Sequence, residues 1–261
     1  MTRDDNVPDE TSGTLVPATA GDPPPADPEM SKTVAALTAE DLEPAQRRKL
    51  LGRLAAEVRA RGIRDLFNPR AAMRWVADAV SDVAPYIPIR DLETLRRHHD
   101  NLEGDELAER LIRNAARATA VVGAAGGGVA AIEWVATPTL LSAPVLIAAE
   151  TVAIVAIEIK LIGELHEVYG QPVVGSGSQR AIRLVQSWAG RRGVTPLAPG
   201  AMAVVLGTGA RKELRDRLLR RFGRNLTTLG PLLTGAAVAS YLNRRATIAL
   251  SKEIRKDLGA S

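Results

Sequence analysis

The chain contains no cysteine among its 261 residues. Disulfides, thiolate metal ligands and thiol nucleophiles are therefore excluded as sources of stability or chemistry. Aromatic residues are also scarce, at 3% of the chain, although hydrophobic residues together make up 46%. An apolar complement of Ala, Val and Leu with so few rings favours close-packed helices over sheets and over base-stacking surfaces for nucleic acid.

Two further patterns are missing from the sequence. No sustained alternation of apolar and polar residues supports a sheet. A secretory signal would need early positive charge followed by an apolar stretch, and the chain instead begins with Asp4, Asp5, Asp9 and Glu10. We therefore expect an all-α multi-helix bundle without a signal peptide.

The sequence carries no recognisable catalytic or cofactor motif. Residues 207–212 read Gly-Thr-Gly-Ala-Arg-Lys and lack both the glycine spacing and the final hydroxyl residue of a phosphate-binding loop. The three histidines, His98, His99 and His166, do not have the spacing of helical metal ligands. We expect no enzymatic activity, no cofactor and no metal, and the sequence identifies no small-molecule substrate.

Charge is distributed unevenly along the chain. Residues 1–30 hold seven acids and one base, so residues 31–261 carry +10 within a total of +4. The first 37 residues are also rich in proline and have too little apolar surface to offset the entropy cost of ordering. We predict a disordered acidic tail over 1–37, acting as an inert tether, with a regulatory arm that masks the basic body as the alternative.

Capping and breaking residues predict a single helical domain over 38–261. Thr38 is the predicted N-cap of a helix that ends near Gly62. Asn68 followed by Pro69 predicts the start of the next helix. The later helices are predicted from apolar spacing and stop signals: one from near Asp105, one over 144–169 ended by Gly170, and one over 179–190.

Three uncharged runs are the main functional clue in the sequence. They span 118–132, 134–149 and 226–242, which are fifteen, sixteen and seventeen residues long. A bilayer span needs about 20 apolar residues. The runs therefore lie between the length of a buried core helix and that of a membrane span.

A few charged residues lie within or beside these runs. In lipid, Glu133, Glu150 and Glu158 would be costly, so we favour a bundle in which they reach water or pair with arginine. Glu158, Lys160 and Glu164 are expected to be solvated because they lie near the predicted helix end. Lys160 and Glu164 also have the i,i+4 spacing of a helical ion pair.

Glycines in and around the apolar runs predict close packing. The triplet at 126–128 weakens a helix by about 1 kcal/mol per residue, which predicts a turn that folds the run into a hairpin, or a close approach of helices. Gly123 and Gly127 have the small-x-x-x-small spacing that permits such an approach. The predicted helix-packing positions are Gly123, Gly126, Gly127, Gly128, Gly170 and Gly235.

The strongest electrostatic feature is the segment 211–224, which holds seven bases and two acids. A basic amphipathic helix of this kind can lie at a lipid surface, with about 1 kcal/mol per base near anionic lipid. The alternative is an ordinary solvated helix face, and nucleic acid is not expected because no aromatic residues are interleaved. The predicted membrane-surface residues are Arg217, Arg220, Arg221, Arg224, Arg244 and Arg245.

Four short segments carry a family resemblance. They are Ala-Ala-Arg-Ala-Thr-Ala-Val-Val-Gly at 115–123, Ile-Gly-Glu-Leu-His-Glu-Val-Tyr-Gly at 162–170, Leu-Gly-Pro-Leu-Leu-Thr-Gly-Ala-Ala at 229–237, and Tyr-Leu-Asn-Arg-Arg-Ala-Thr at 241–247. On these segments, residues 105–258 resemble the EcsC family of bacterial helical proteins. The resemblance implies membrane association without an established enzymatic activity, and it supplies no catalytic residue.

Together these features predict a non-enzymatic helical protein at the cytoplasmic face of a membrane. An apolar hairpin around 118–157 would pack against 226–242, partly inserted or peripheral, with basic residues facing anionic lipid. The alternative is a soluble helical scaffold that buries the same runs in its own core and binds a protein partner.

Overall fold

The computed structural model describes residues 27–136, 142–192 and 231–259. All regular elements in these ranges are helical, which confirms the predicted all-α bundle. Short 3-10 turns at Arg64–Phe67 and Ala84–Tyr86 flank the third helix. The α-helices of the described ranges are α1 (Pro28–Leu37), α2 (Pro44–Arg61), α3 (Pro69–Val83), α4 (Leu92–His98), α5 (Gly104–Ala136), α6 (Ser142–Val168), α7 (Gly177–Arg191) and α8 (Pro231–Gly259).

Helix α1 lies where the disordered tail was predicted to end. Asp27 caps it by accepting a hydrogen bond from the backbone N–H of Met30 at 3.0 Å. Met30, Val34 and Leu37 are fully buried, because their spacing places them on one helix face that packs into the core. The predicted tail boundary at residue 37 is therefore wrong, and the prediction for residues 1–26 falls outside the described part of the chain.

Thr38 ends α1 and does not start the next helix as predicted. Its hydroxyl donates to the carbonyl of Ala35 at 2.7 Å. Helix α2 begins instead at Pro44, after a capping box formed by Glu43 and Gln46. Proline is favoured in the first helical turn because it has no N–H to satisfy there, and this local signal sets the start of α2.

Several other helix limits agree closely with those predicted. Helix α4 was not predicted, because it is short and its main signal is Asp91, whose side chain accepts a hydrogen bond from the N–H of Thr94 at 2.7 Å. The agreeing limits are the end of α2 before Gly62, the start of α3 at Pro69, the start of α5 at Gly104, the end of α6 at Val168, and the span of α7.

The glycine triplet at 126–128 lies inside α5, so the predicted turn at this position is wrong. Helix α5 continues for 33 residues to Ala136. Helix α6 begins at Ser142 and packs against α5, so the arms of the apolar hairpin are longer than predicted. A cost of about 1 kcal/mol per glycine is small beside the tertiary packing of so long a helix.

Helix α8 packs antiparallel along α5 and makes the most extensive helix–helix contact in the described ranges. Thr119 and Thr247 join the two helices through their hydroxyl oxygens, 3.0 Å apart. Four residues further along α5, a Cβ added at Gly123 would stand 2.9 Å from the carbonyl oxygen of Ala239. Since that neighbour is backbone and cannot rotate away, only glycine allows α8 to approach this closely.

The other predicted packing glycines differ from Gly123. Gly170 adopts a φ of +67° and has nothing within 4 Å of an added Cβ. It therefore ends α6 through its backbone conformation, and its predicted role in helix packing is wrong. The side-chain surroundings of the triplet at 126–128 and of Gly235 lie outside what the structure describes, although all four residues belong to helices.

Helix α6 forms the centre of the bundle. It contacts each of the other seven labelled helices. From Val145 to Leu165 nearly every side chain is buried, whichever side of the helix it occupies. The C-terminal part of the uncharged run 134–149 therefore enters the protein core. No helix in the described ranges has the length and hydropathy needed to cross a membrane.

The contact at Gly123 yields a stability prediction. Gly123→Ala should lower the free energy of unfolding by about 1–3 kcal/mol, because the new methyl group overpacks the contact with Ala239. The matched control is Gly52→Ala in α2, where an added Cβ meets nothing within 4 Å. That control should raise stability by roughly 0.5–1 kcal/mol through helix propensity. Urea unfolding followed by circular dichroism measures both, and equal effects of the two substitutions would contradict the close approach.

Candidate functional site

Helix α8 carries the predicted membrane-surface residues that the structure describes. Arg244 and Arg245 are both exposed, and the guanidinium of Arg245 lies 3.5 Å from the hydroxyl of Tyr241. Tyr241 is itself 58% exposed, which is unusual for a large aromatic side chain. The other four candidates, at positions 217, 220, 221 and 224, belong to a segment that is not among the described residues.

Exposed bases continue along the same side of α8. Tyr241 and the four exposed bases of α8 fall within an arc of about 120° on the helix surface, since successive residues are rotated by 100°. Asp257, beyond the edge of this arc, forms an ion pair with Arg191 of α7. We call the arc the basic face of α8, and it comprises Tyr241, Arg244, Arg245, Lys252 and Lys256.

The basic face adjoins an end of the bundle that is almost free of charge. Glu150 of α6 accepts a hydrogen bond from Asn243 of α8 at 3.0 Å, so these two residues lie at the same height along the bundle. Beyond this level, α5, α6 and α8 contribute the helical residues 124–136, 142–149 and 231–242, which we call the apolar end. It contains one charged residue, Glu133. Among its described side chains, Ile147 is 48% exposed.

The opposite end of the same three helices is polar. The hydroxyl of Tyr169 donates to Asp105 at 2.6 Å, and Arg255 lies 3.0 Å from the same carboxylate. The hydrogen bonds from Tyr169 and Arg255 lower the pKa of Asp105 below its ordinary value. Burial and the hydrogen bond to Asp105 raise the pKa of Tyr169. The three-helix unit is therefore polar at one end and apolar at the other.

A cluster of buried charges lies in the interior of the bundle. Glu164, 2% exposed, forms ion pairs with Lys160 and with Arg90, whose Nε is 2.8 Å from the carboxylate. Arg90 also pairs with Glu40, which lies in the loop between α1 and α2. Burial disfavours the charged guanidinium, but the carboxylates of Glu164 and Glu40 outweigh it and raise the pKa of Arg90.

The pKa of Glu40 in this cluster is strongly lowered. It accepts a hydrogen bond from Asn114 at 3.0 Å and lies 3.2 Å from Nε2 of His99. Burial works to raise the pKa of Glu40, but the neighbouring His99 and the charges of Arg90 and Lys160 outweigh it and hold the pKa at about 2. The adjoining cavity has a volume of about 10 Å³, room for roughly one water molecule.

A second buried cluster surrounds Glu158, which is 1% exposed. Its carboxylate accepts hydrogen bonds from Nε1 of Trp188 at 2.8 Å and from the hydroxyl of Thr247 at 2.9 Å. It also forms an ion pair with Arg192, at the end of α7. Because Thr119 contacts Thr247, this one carboxylate links α5, α6, α7 and α8.

These clusters correct the expectation that Glu158, Lys160 and Glu164 are solvated. All three are buried, at 1%, 6% and 2% exposure. The predicted ion pair between Lys160 and Glu164 is confirmed. The partners from other parts of the chain were not identified from sequence, since they lie about 30 to 90 residues away along the chain; they are Arg90, Trp188, Arg192 and Thr247.

Both clusters pair acids with bases or with hydrogen-bond donors and hold helices together. Within the described ranges, no group of three or more His, Cys, Asp or Glu side chains is placed to hold a metal ion. Comparison with family models, curated proteins and solved structures gives no match for this chain. The EcsC resemblance therefore stays a prediction, and the basic face of α8 with the apolar end is the surface on which a functional proposal can be based.

The first buried cluster predicts a large cost for removing one partner. Glu164→Ala should lower the free energy of unfolding by about 3–5 kcal/mol, because it leaves Arg90 and Lys160 buried without this carboxylate. The control is Glu109→Ala, which removes an i,i+4 partner of Arg113 and a longer contact of 3.7 Å with Arg255 of α8, where all three side chains are at least partly exposed. Its cost should stay within about 1 kcal/mol. Chemical denaturation measures both, and similar costs would contradict the structural role of the cluster.

The lowered pKa of Glu40 predicts acid sensitivity. Because this pKa is about 2 in the folded state and 4.5 in the reference state, Glu40 contributes stability above about pH 4.5 and loses it as the pH falls toward 2. The full contribution is on the order of 3 kcal/mol. Unfolding free energies measured from pH 6 to 2.5 should fall less steeply in Glu40→Gln than in the natural protein. Glu106→Gln, at an exposed site, should keep the original slope, and an unchanged slope in Glu40→Gln would contradict the assignment.

Proposed function

We propose that this protein is a non-enzymatic helical protein that associates with the cytoplasmic face of a membrane through the basic face of α8. The observation that carries the proposal is the exposure of Tyr241, Arg244 and Arg245 beside an apolar end. Exposed bases next to apolar helix surface are the arrangement that binds anionic lipid headgroups. The resemblance to the EcsC family agrees with this proposal.

The individual residues suit a headgroup region. Each exposed base near an anionic surface contributes about 1 kcal/mol, and the basic face carries four of them. Tyrosine is enriched at membrane–water interfaces, because its ring enters the apolar boundary while its hydroxyl stays in water. Tyr241 therefore lies at the position along α8 where an interfacial residue is needed, between the apolar residues before it and the bases after it.

A second candidate function is a soluble helical scaffold that binds a protein partner. The burial of α6 favours it, because most of the uncharged sequence from Val145 onward already lies in the protein core. Of the exposed large apolar side chains outside α8, the two most exposed are Val174, at 67%, and Ile182 on α7, at 57%. The guanidinium of Arg183 donates to the carbonyl of Val174 at 2.7 Å, which fixes the backbone at Val174 against α7.

Cell fractionation separates the two candidates. Under the membrane proposal the protein sediments with membranes. Release by a high-salt wash would indicate association through charge, because salt screens exposed charges. Retention after the wash would indicate additional apolar contact. Recovery as a monodisperse protein in the detergent-free supernatant at low salt would contradict the membrane proposal and favour the scaffold.

Vesicle binding tests the basic face directly. Arg244→Gln with Arg245→Gln should weaken binding to anionic vesicles by roughly 30-fold, since two bases contribute about 2 kcal/mol. The matched control is Arg48→Gln with Lys49→Gln, two exposed neighbouring bases on α2. The control removes the same net charge from a helix that makes no substantial contact with α8. Co-sedimentation measures both, and equal losses would show that net charge alone governs binding.

A further inference from the structure

We infer that the apolar end enters one leaflet of the bilayer end-on, down to the level of Tyr241 and Arg244. This inference rests on the proposed membrane association and adds the depth and orientation of binding. The alternative orientation would lay the whole basic face flat on the headgroups. The two orientations place the residues of α8 at different distances from the lipid.

The dimensions of the apolar end match one leaflet. Its helical arms have eight to thirteen residues and, at 1.5 Å per residue, extend about 12–20 Å. One leaflet contributes about half of a hydrocarbon core that is about 30 Å thick. The two longer arms, 124–136 and 231–242, are therefore long enough to reach the middle of the bilayer, and all three are too short to cross it.

The polar contacts at the base of the apolar end set the limit of insertion. Among the described side chains, Glu150 and Asn243 form the polar contact between α6 and α8 that lies nearest the apolar end, one helical turn from Ile147 on α6. Thr119, Thr247 and the buried Glu158 follow further from the apolar end. Polar groups in hydrocarbon need internal partners, so this series of contacts marks where the helices leave the lipid.

The position of the interfacial residues agrees with an end-on orientation. Tyr241 and Arg244 lie at the same level as this polar contact and would meet the headgroups. Lys256 lies eleven residues beyond Arg245, about 17 Å further along the helix. That distance exceeds the screening length of about 8 Å at physiological salt. End-on binding therefore uses the bases near Tyr241 and leaves those near the C-terminus of α8 largely unused.

Site-specific labelling tests the depth, and the cysteine-free chain makes it direct. Ile147→Cys carries an environment-sensitive fluorophore at the apolar end, and Ile182→Cys carries the same fluorophore at a comparably exposed site on α7. With anionic phosphatidylserine–phosphatidylcholine vesicles, the label at position 147 should shift its emission to the blue. It should also be quenched by nitroxides placed along the acyl chains. The label at position 182 should show neither effect.

Substitutions test the orientation independently. Ile147→Asp should weaken vesicle binding by at least about tenfold, because it replaces a lipid-facing apolar side chain with a charge, whereas Ile182→Asp should leave binding unchanged. Lys252→Gln with Lys256→Gln should weaken it less than Arg244→Gln with Arg245→Gln. Glu133→Gln should strengthen binding, because it removes the one charge of the apolar end.

The outcomes separate the two proposals. Two results would overturn end-on insertion and leave surface association intact. One is vesicle binding in which the label at position 147 stays exposed to water. The other is an equal loss of vesicle binding in the Arg244/Arg245 and Lys252/Lys256 double variants. An absence of binding to anionic vesicles would overturn both. A blue shift at position 147 that depends on protein concentration and needs no vesicles would show that a second copy covers this end, which also overturns insertion.

Discussion

Charged side chains on a helix that is buried on every side constrain the arrangement of the whole bundle. Glu158, Lys160 and Glu164 lie on α6, which contacts each of the other labelled helices. Moving a charge out of water costs several kcal/mol unless a well-placed partner compensates for it. The neighbouring segments must therefore hold Arg90, which lies before α4, and Arg192, which follows α7, at fixed positions. The order and rotation of the helices follow from this requirement as much as from apolar packing.

The two clusters act on different parts of the molecule. The cluster at Glu164 reaches through Arg90 to Glu40 and so fixes the loop that joins α1 to α2. The cluster at Glu158 joins α7 and α8 to the central helix. Ion pairs of this kind contribute less to stability than apolar packing, but they penalise any arrangement that leaves a charge without its partner. They therefore act mainly to specify one packing of helices whose apolar surfaces are otherwise similar.

The apolar sequence is used in two ways along the same helices. From Val145 onward, nearly all apolar side chains of α6 lie in the core, and its charged residues are buried there as well. On α8 the described side chains at 236–242 are all at least partly exposed, and Ile147 and Tyr241 are about half exposed. This change along α5, α6 and α8, from a polar end at Asp105 to an apolar end, is the basis for proposing an amphipathic unit that meets a membrane surface.

The sequence by itself determined the features that depend on neighbouring residues. The helical class follows from composition, and helix limits at Gly62, Pro69 and Gly170 follow from the conformational preferences of glycine and proline. Only the tertiary structure decided that α5 continues through the glycines at 126–128, because helix propensity is weak beside long-range packing. It also decided that the charges of α6 are buried, since the residues that neutralise them come from distant parts of the chain and no local pattern records which side chains will meet.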